Sequence, residues 1–448
     1  MRAIQAQEFG GPEVLKPVEL APPEPAAGTA VVAVHAADVL GLDVAIRRGA
    51  AAELFGVVPP YVPGDGVAGT VVAAGDGVDR RWIGRRVVST TGARGACAER
   101  VAVPAEDLVA VPDGLDLTAA AALVHDGRTA LALIEAAAVR PGERVLVVPA
   151  GSGLGLVLVQ LARLAGGTVI AAARGAEQLA AATAAGATRV VDAASSDWTD
   201  QLGGPVDVVL DGVGGATGRA AFEAVASGGR HLGYSGEPGP DPDEARRRGV
   251  TPFGTEVVHL GSSGATRGLT ERVLDEAAAG RIRPVIGPVF PLEGAAEAHA
   301  AFERGGLVGR ALIAVEATAG LIGLVERFGQ GFAAADAELL TGLWAADEDD
   351  LVHVAGERAH PLRTRAEIAR YYREALGPVS SVDTAEVTDL SVEAAGDRGR
   401  AFFRFRFAGR EAPGDERFDV DVRITAIARR RDDRWGLVHY HESSPGPV

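Results

Sequence analysis

The chain has 448 residues, and 60 acidic against 44 basic side chains give a formal net charge of −16. A polyanion such as nucleic acid is a poor candidate for partner, since proteins that neutralise phosphates concentrate Lys and Arg on a face. The length predicts two to four domains, and glycine (59) and proline (25) stay below the ~25–30% of low-complexity disorder, so a globular chain is expected. Cys97 and Lys16 are the only residues of their kinds. A single thiol excludes an internal disulfide and thiolate metal clusters, and fits a reduced, cytoplasmic setting. Lys16 precedes Pro17 in an extended opening segment, unsuited to imine chemistry in a buried pocket.

No export signal or membrane span is expected. The opening MRAIQAQEFGGPE lacks an apolar core, and the uncharged stretch 145–162 is broken by Pro149, Gly151, Gly153 and Gly155. That stretch instead reads as strand, turn and helix. Residues 145–148 form a short apolar run suited to a parallel strand buried on both faces. The turn AGSGLG (Ala150, Gly151, Ser152, Gly153, Leu154, Gly155) follows directly, and a helix is expected over 154–165. Such a turn lets the backbone approach a pyrophosphate, and the helix start supplies free N–H groups and partial positive charge.

The alternation then continues. Strands are expected at 168–172, 189–192, 206–211, 229–233 and 256–261, with a helix at 176–185, which makes a doubly wound nucleotide-binding sheet. At the end of its second strand, Ala172 and Ala173 stand where a carboxylate would select a free ribose 2′-hydroxyl, and Arg174 follows. NADPH is therefore expected over NADH, with Arg174 on the 2′-phosphate.

The segments IRRG (46–49), VPGDGVAGTVVAAGDGV (62–78), GRRVV (84–88), GACAERVAVPA (95–105), GRTAL (127–131), DVVLDGVGG (207–215) and GGRHLGYSG (228–236) accompany AGSGLG, and GRIRPVIGPVFPLEGAAEAHAAFERG and GRALI follow. Together they resemble the zinc-independent quinone oxidoreductases of the medium-chain dehydrogenase/reductase superfamily over roughly the first 315 residues. The resemblance implies a GroES-like catalytic domain over 1–118, completed by 288–316, around a Rossmann domain over 119–287. It also implies that zinc is absent: the positions that hold Cys and a His-Glu pair in zinc-dependent relatives are Leu40, Asp65 and Gly66. It places Thr129, Gly233 and Tyr234 at the nicotinamide end, and implies a homodimer.

Without a Lewis acid, hydride transfer needs a conjugated acceptor, an enone, enoyl compound or quinone, whose developing enolate is held by hydrogen bonds. His125 and Asp126, which precede the Gly-x-Thr-Ala turn, are the local candidates for acid chemistry, and a histidine there either delivers a proton at neutral pH or caps a helix. Tyr61 is a second candidate donor, or an aromatic that merely packs. Cys97 reads as structural.

After residue 315 the pattern changes. Residues 316–320 read as a short link. Leu321, Ile322, Leu324, Val325, Phe328 and Phe332 recur at helical spacing, 337–346 follows as a second helix, and Thr364 with Glu367 forms a capping box before a third. Strands are expected at 386–394, 400–408, 417–429 and 435–442, giving an α+β domain. The order and the pattern FGQGFAAADAELLTGLWAADED…RTRAEIARYYREAL…DDRWGLVHYHESS resemble the SnoaL-like proteins of the nuclear transport factor 2-like superfamily, which implies a cone-shaped domain over 321–448. Strict alternation puts Trp435, Leu437, His439 and His441 on one face, and opposes Asp421, Arg423 and Thr425 to an apolar face. If His439, His441, Arg423 and Thr425 converge inside the cone they can bind an enolate or move a proton; otherwise they lie on a solvated or dimer-facing surface. Residues 347–350 read as a solvated acidic loop.

Two functions follow. One is an NADPH-dependent reductase of an activated double bond or quinone, whose cone domain cyclises, isomerises or dehydrates a polyketide-like intermediate of secondary metabolism. The other is a redox-inactive scaffold whose cone binds a ligand or mediates dimerisation.

Overall fold

The computed structural model describes every residue except 235–239, 255–262, 347, 349–350, 357, 359, 396–397, 432–433 and 444–448. Strands Arg144–Val148, Thr168–Ala173, Arg189–Asp192, Val206–Asp211, Val225–Gly233 and Thr251–Phe253 form one parallel sheet, ordered third, second, first, fourth, fifth, sixth. Its central strands are apolar on both faces because helices cover both. The sixth strand is Thr251–Phe253, and the strand expected at 256–261 lies outside the described residues. The order reverses between the first and fourth strands, and there the Gly-rich turn opens into helix Gly153–Leu164.

A seven-stranded sheet carries the rest of the first 315 residues, with Thr29–Asp38 and Gly66–Ala74 at its centre. The chain returns to it through Ile286–Pro291 and Arg310–Ala314, and the latter pairs with Thr29–Asp38, Leu312 opposite Asp38. This return brings Arg310 to the cleft beside Val39, 271 positions away in the chain.

Helix Glu316–Ala333 begins inside the expected link, so no flexible connection separates the last domain from the sheet. Helix Arg365–Leu376 starts with both bonds of the Thr364–Glu367 capping box. Strands Val352–Val354, Arg434–Ser443, Glu416–Arg431, Arg398–Glu411 and Val379–Ala395 then curl in that spatial order around helix Glu316–Ala333. Phe328 fills the middle, its ring 4.9 Å from Phe332, 5.6 Å from Phe403, 5.2 Å from Phe405 and 5.8 Å from Tyr440. The same apolar cluster includes Val31, Ala33 and Val72 of the seven-stranded sheet, so the cone shares a core with the domain it follows.

One irregularity reverses the expected parity. Ile427 pairs with His439 but Ala428 with Leu437, leaving Val438 as an extra residue. Trp435 and Leu437 point inward, and beyond the bulge Tyr440 does. His441 and Arg423 are exposed and His439 is half-buried opposite the exposed Ile427, while Val422, Ile424 and Ala426 fill the interior. The cluster of His439, His441, Arg423 and Thr425 therefore lies on the outer face of the sheet and lines no chamber inside the cone.

No single helix among the described residues is long and apolar enough to cross a membrane; the one bent pair that passes by length, Leu117–Leu123 with Asp126–Ala137, is largely buried in the core. Phe328→Ala is expected to cost about 3–5 kcal/mol, the usual cost of emptying a buried aromatic site, measured by denaturant unfolding. A chain ending at residue 315 exposes Val31, Ala33 and Val72, so it is expected to melt lower than the full chain and to associate on gel filtration.

Candidate active site

Asp38 ends an apolar strand and is almost fully buried. One carboxylate oxygen accepts the Gly66 N–H (3.1 Å), and the other meets His125 Nδ1 at 2.7 Å. Asp65, at the turn before strand Gly66–Ala74, accepts the N–H groups of Thr91 and Ala93 on Oδ1, both at 2.9 Å, and its Oδ2 meets His125 Nε2 at 3.0 Å. An ionised carboxylate only accepts, so both ring nitrogens donate and the ring is an imidazolium. Burial pulls the His125 pKa down, but the Asp38 charge and the bonds to Asp38 and Asp65 outweigh it and raise it to about 9. Burial also opposes ionisation of Asp65, yet His125 and the two backbone donors hold its carboxyl well below the ordinary range. Gly66 is required where it stands: a Cβ there would lie 2.5 Å from Asp38 Oδ1 and 2.8 Å from His125 Nδ1.

Asp43 sits beside this bridge, fully buried, its Oδ2 accepting the Leu40 N–H at 2.8 Å and its Oδ1 without a partner among the described residues. Burial, with the Asp38 charge second, raises its pKa to about 8, so it is a neutral acid at pH 7. Tyr61 is packed in the apolar core of the same domain, its hydroxyl unpartnered among the described residues, and burial raises its pKa to about 12. It fits the packing role of the two weighed for it. Cys97 is buried and its thiol is pushed far up, chiefly by burial.

Asp126 does not stand free as an acid. Arg310 grips it with two bonds, Nε to Oδ2 at 2.8 Å and Nη2 to Oδ1, and donates from Nη1 to Val39 O at 2.7 Å. This buried pair lies against the Gly-rich turn: a Cβ on Gly153 would collide with Asp126 Oδ2. Asp126 thus anchors the turn and is corrected from candidate acid to ion-pair partner.

In the turn itself, Ala150 donates to Ala172 O (2.8 Å), and Gly151 O accepts from Gly309 (3.0 Å) on the returning segment. Ser152 Oγ accepts the Gly155 N–H at 3.0 Å and donates to Pro149 O. The Leu154 N–H keeps no partner among the described residues, while the parallel bridge between Ser152 and Gly309 turns the Gly153 N–H toward the Gly309 carbonyl, and a Cβ on Gly155 would collide with Pro149 O. A free donor at a helix start, with backbone too close for any side chain, fits the diphosphate of a dinucleotide. Arg174 is exposed just past strand Thr168–Ala173, and its guanidinium has no partner among the described residues. Thr129 lies in the first turn of helix Asp126–Ala137, its N–H on His125 O at 3.0 Å. Gly233 ends its strand; Tyr234 donates from its backbone to Asp211 O (2.8 Å) and lays its ring over Gly212, where a Cβ would collide with it. The Tyr234 hydroxyl is buried without a partner among the described residues.

Sequence reasoning singled out His125 but missed Asp38, Asp43 and Arg310. Asp38 interrupts an apolar run, VVAVHAAD, which is the only local signal for it. Nothing near Arg310 announces a partner 184 positions away.

These features define the class: a nucleotide-linked oxidoreductase built from a catalytic β domain and a doubly wound domain, with a cone-shaped α+β domain after it. Comparison with known families agrees. Residues 26–113 match the alcohol dehydrogenase GroES-like domain, 185–313 the family described as zinc-binding dehydrogenase, and 323–447 the SnoaL-like domain. Quinone oxidoreductase of Sus scrofa is 31% identical over 310 residues, covering 67% of this chain and 93% of the relative. Among solved structures, the quinone oxidoreductase of Thermus thermophilus, also solved with NADPH, is 33% identical with TM-score 0.59, covering 70% of this chain and 100% of the other. A mycobacterial protein complexed with NADPH is 30% identical with TM-score 0.64 over the same shares. The chain belongs to the quinone oxidoreductase family of the medium-chain dehydrogenase/reductase superfamily, fused to a SnoaL-like domain.

The zinc in one matched family's description does not fit these residues. Leu40 and Gly66 offer no ligand, both His125 nitrogens are engaged by carboxylates, and no cluster of three or more ligating side chains suits a metal among the described residues.

His125 keeps its proton to about pH 9 when folded but only to 6.5 as a free side chain. Its contribution to stability is therefore complete below pH 6.5 and is lost as pH rises through 9. Asp43, raised to about 8 from 3.8, increasingly lowers stability as pH climbs between those values. Melting temperature is expected to fall from pH 6.5 to 9 in the natural chain. His125→Leu, which leaves two buried carboxylates unpaired, is expected to cost about 3–5 kcal/mol at pH 6.5 by denaturant unfolding.

Proposed function

We propose that the chain is an NADPH-dependent reductase of a conjugated carbonyl compound or quinone, with His125 as proton donor. The observation that carries this reading is the His125 imidazolium, held between Asp38 and Asp65 at the start of the helix that bears Thr129. Bound NADPH supplies a hydride to the electrophilic carbon of the acceptor. The Leu154 N–H at the helix start would hold the diphosphate and Arg174 the 2′-phosphate. Asp38 fixes the imidazolium by its Nδ1–H, and the Nε2–H, shared with Asp65, is the proton passed to the reduced acceptor. Asp65, tied to two backbone donors, keeps its place as the proton leaves.

For the cone domain, the filled interior around Phe328 and the outward His439, His441 and Arg423 favour a bracing module over a cyclase, isomerase or dehydratase. The cone supports the catalytic sheet through Val31, Ala33 and Val72.

His125→Gln is expected to lower kcat about 10²–10⁴-fold with a smaller change in KM. In the natural enzyme, activity is expected to fall as pH rises through about 9, where His125 loses its proton. Asp38→Asn, removing the charge that raises that pKa, should move the fall to lower pH; an unmoved alkaline limb would exclude His125 as the donor. Arg174→Ala is expected to raise KM for NADPH about ten-fold or more and to leave that for NADH little changed. Steady-state assays with each cofactor decide this, and equal effects on both discard the 2′-phosphate contact.

A further inference from the structure

The cleft between the two dinucleotide-enzyme domains contains a small pocket. Its walls are Ser89 and Thr90 of strand Arg86–Thr90, Asp107, Arg128, and Arg267 and Thr270 of helix Ser263–Ala278. Arg128 follows His125 by three positions, one turn along the same side of helix Asp126–Ala137. Thr90 pairs in register with Gly66, the glycine against which Asp38 and His125 meet. The pocket is therefore walled by the residues that flank the donor in the chain, Val124 before it and Arg128 after it.

Three of these polar side chains are already engaged. Arg267 is bound to Glu271 at 2.9 Å, Thr270 donates to Thr266 O at 3.0 Å, and Ser89 to Thr90 O at 3.3 Å. Arg128 differs. Although half-buried, its guanidinium makes no hydrogen bond or ion pair among the described residues, and Asp107 across the pocket stays beyond ion-pair distance. The Thr90 hydroxyl likewise has no partner among them. Arg310 and Arg267, by contrast, are spent on carboxylates and a carbonyl. A desolvated guanidinium without an anion is costly, and the cost of one lining a pocket is offset when an anion enters. Burial lowers its pKa, against the pull of Asp65, Asp38 and Asp107, which agrees with a cation short of counter-charge at contact distance.

We propose that Arg128, with Thr90, forms a subsite for a carboxylate on the substrate, so that the preferred acceptor is a short conjugated keto acid and not a neutral quinone. The proposal rests on the reductase reading for the word substrate, but its test does not need turnover. Full-length protein is titrated calorimetrically with 4-oxopentanoate, the saturated product of 4-oxopent-2-enoate, and with its methyl ester. The acid is expected to bind about ten-fold tighter or more, a gap that narrows with added salt. Arg128→Met should abolish the gap and Arg128→Lys should keep part of it. Equal affinity for acid and ester in the natural chain overturns the proposal, as does a gap that survives Arg128→Met. The comparison within the natural chain decides the matter even if the Met variant does not fold. Failure of the reductase reading is visible separately, as absence of NADPH oxidation by 4-oxopent-2-enoate, its ester and benzoquinone, whatever the binding gap.

Discussion

A cation held between two buried carboxylates organises the cleft. Asp38 comes from the central strand of the catalytic sheet, Asp65 from the turn before its neighbour, and His125 from the helix start that leads into the nucleotide-binding half. None of the three is tolerable alone in that interior, because an unpaired buried charge is far costlier than a paired one. Together they lock the protonation state of the ring and the spacing of the segments that carry it.

A second ion pair, one residue along from His125, repeats the principle. Arg310 reaches from the returning strand to Asp126 and Val39, and Gly153 is bare because that pair occupies the space beside it. The geometry of the Gly-rich turn is thus set from outside its own sequence, by a residue contributed by the catalytic sheet. Gly309 adds a backbone bond to Gly151 at the same seam. The two halves are joined where the Gly-rich turn meets the His125 bridge, so the spacing of the two is fixed, and rigid positioning of this kind is what the proposed catalysis requires.

The cone domain extends this rigidity outward. Its first helix starts directly after the last strand of the catalytic sheet and buries Leu321, Leu324, Val325 and Phe328 in a cluster continuous with Val31, Ala33 and Val72. Aromatic side chains then occupy the interior that a ligand would need. One extra residue, Val438, sends the histidines outward and Tyr440 inward, so a single bulge decides whether this sheet is lined by polar or by apolar groups.

By itself the sequence determined what depends on short range. Apolar runs ending in AGSGLG, alternating strands and helices, the Thr364–Glu367 capping box and the missing metal ligands at Leu40 and Gly66 were all legible, because each is a property of a few adjacent residues. His125 was legible as a candidate, and its two roles could not be separated locally. Tertiary structure alone decided that it is an imidazolium, since its charge comes from Asp38 and Asp65, 87 and 60 positions away. It also decided that Asp126 serves Arg310, that Tyr61 is core, and that His439 and His441 face out, because ion pairing, burial and strand register are set by what the rest of the chain brings alongside, and no window of neighbouring residues contains that information.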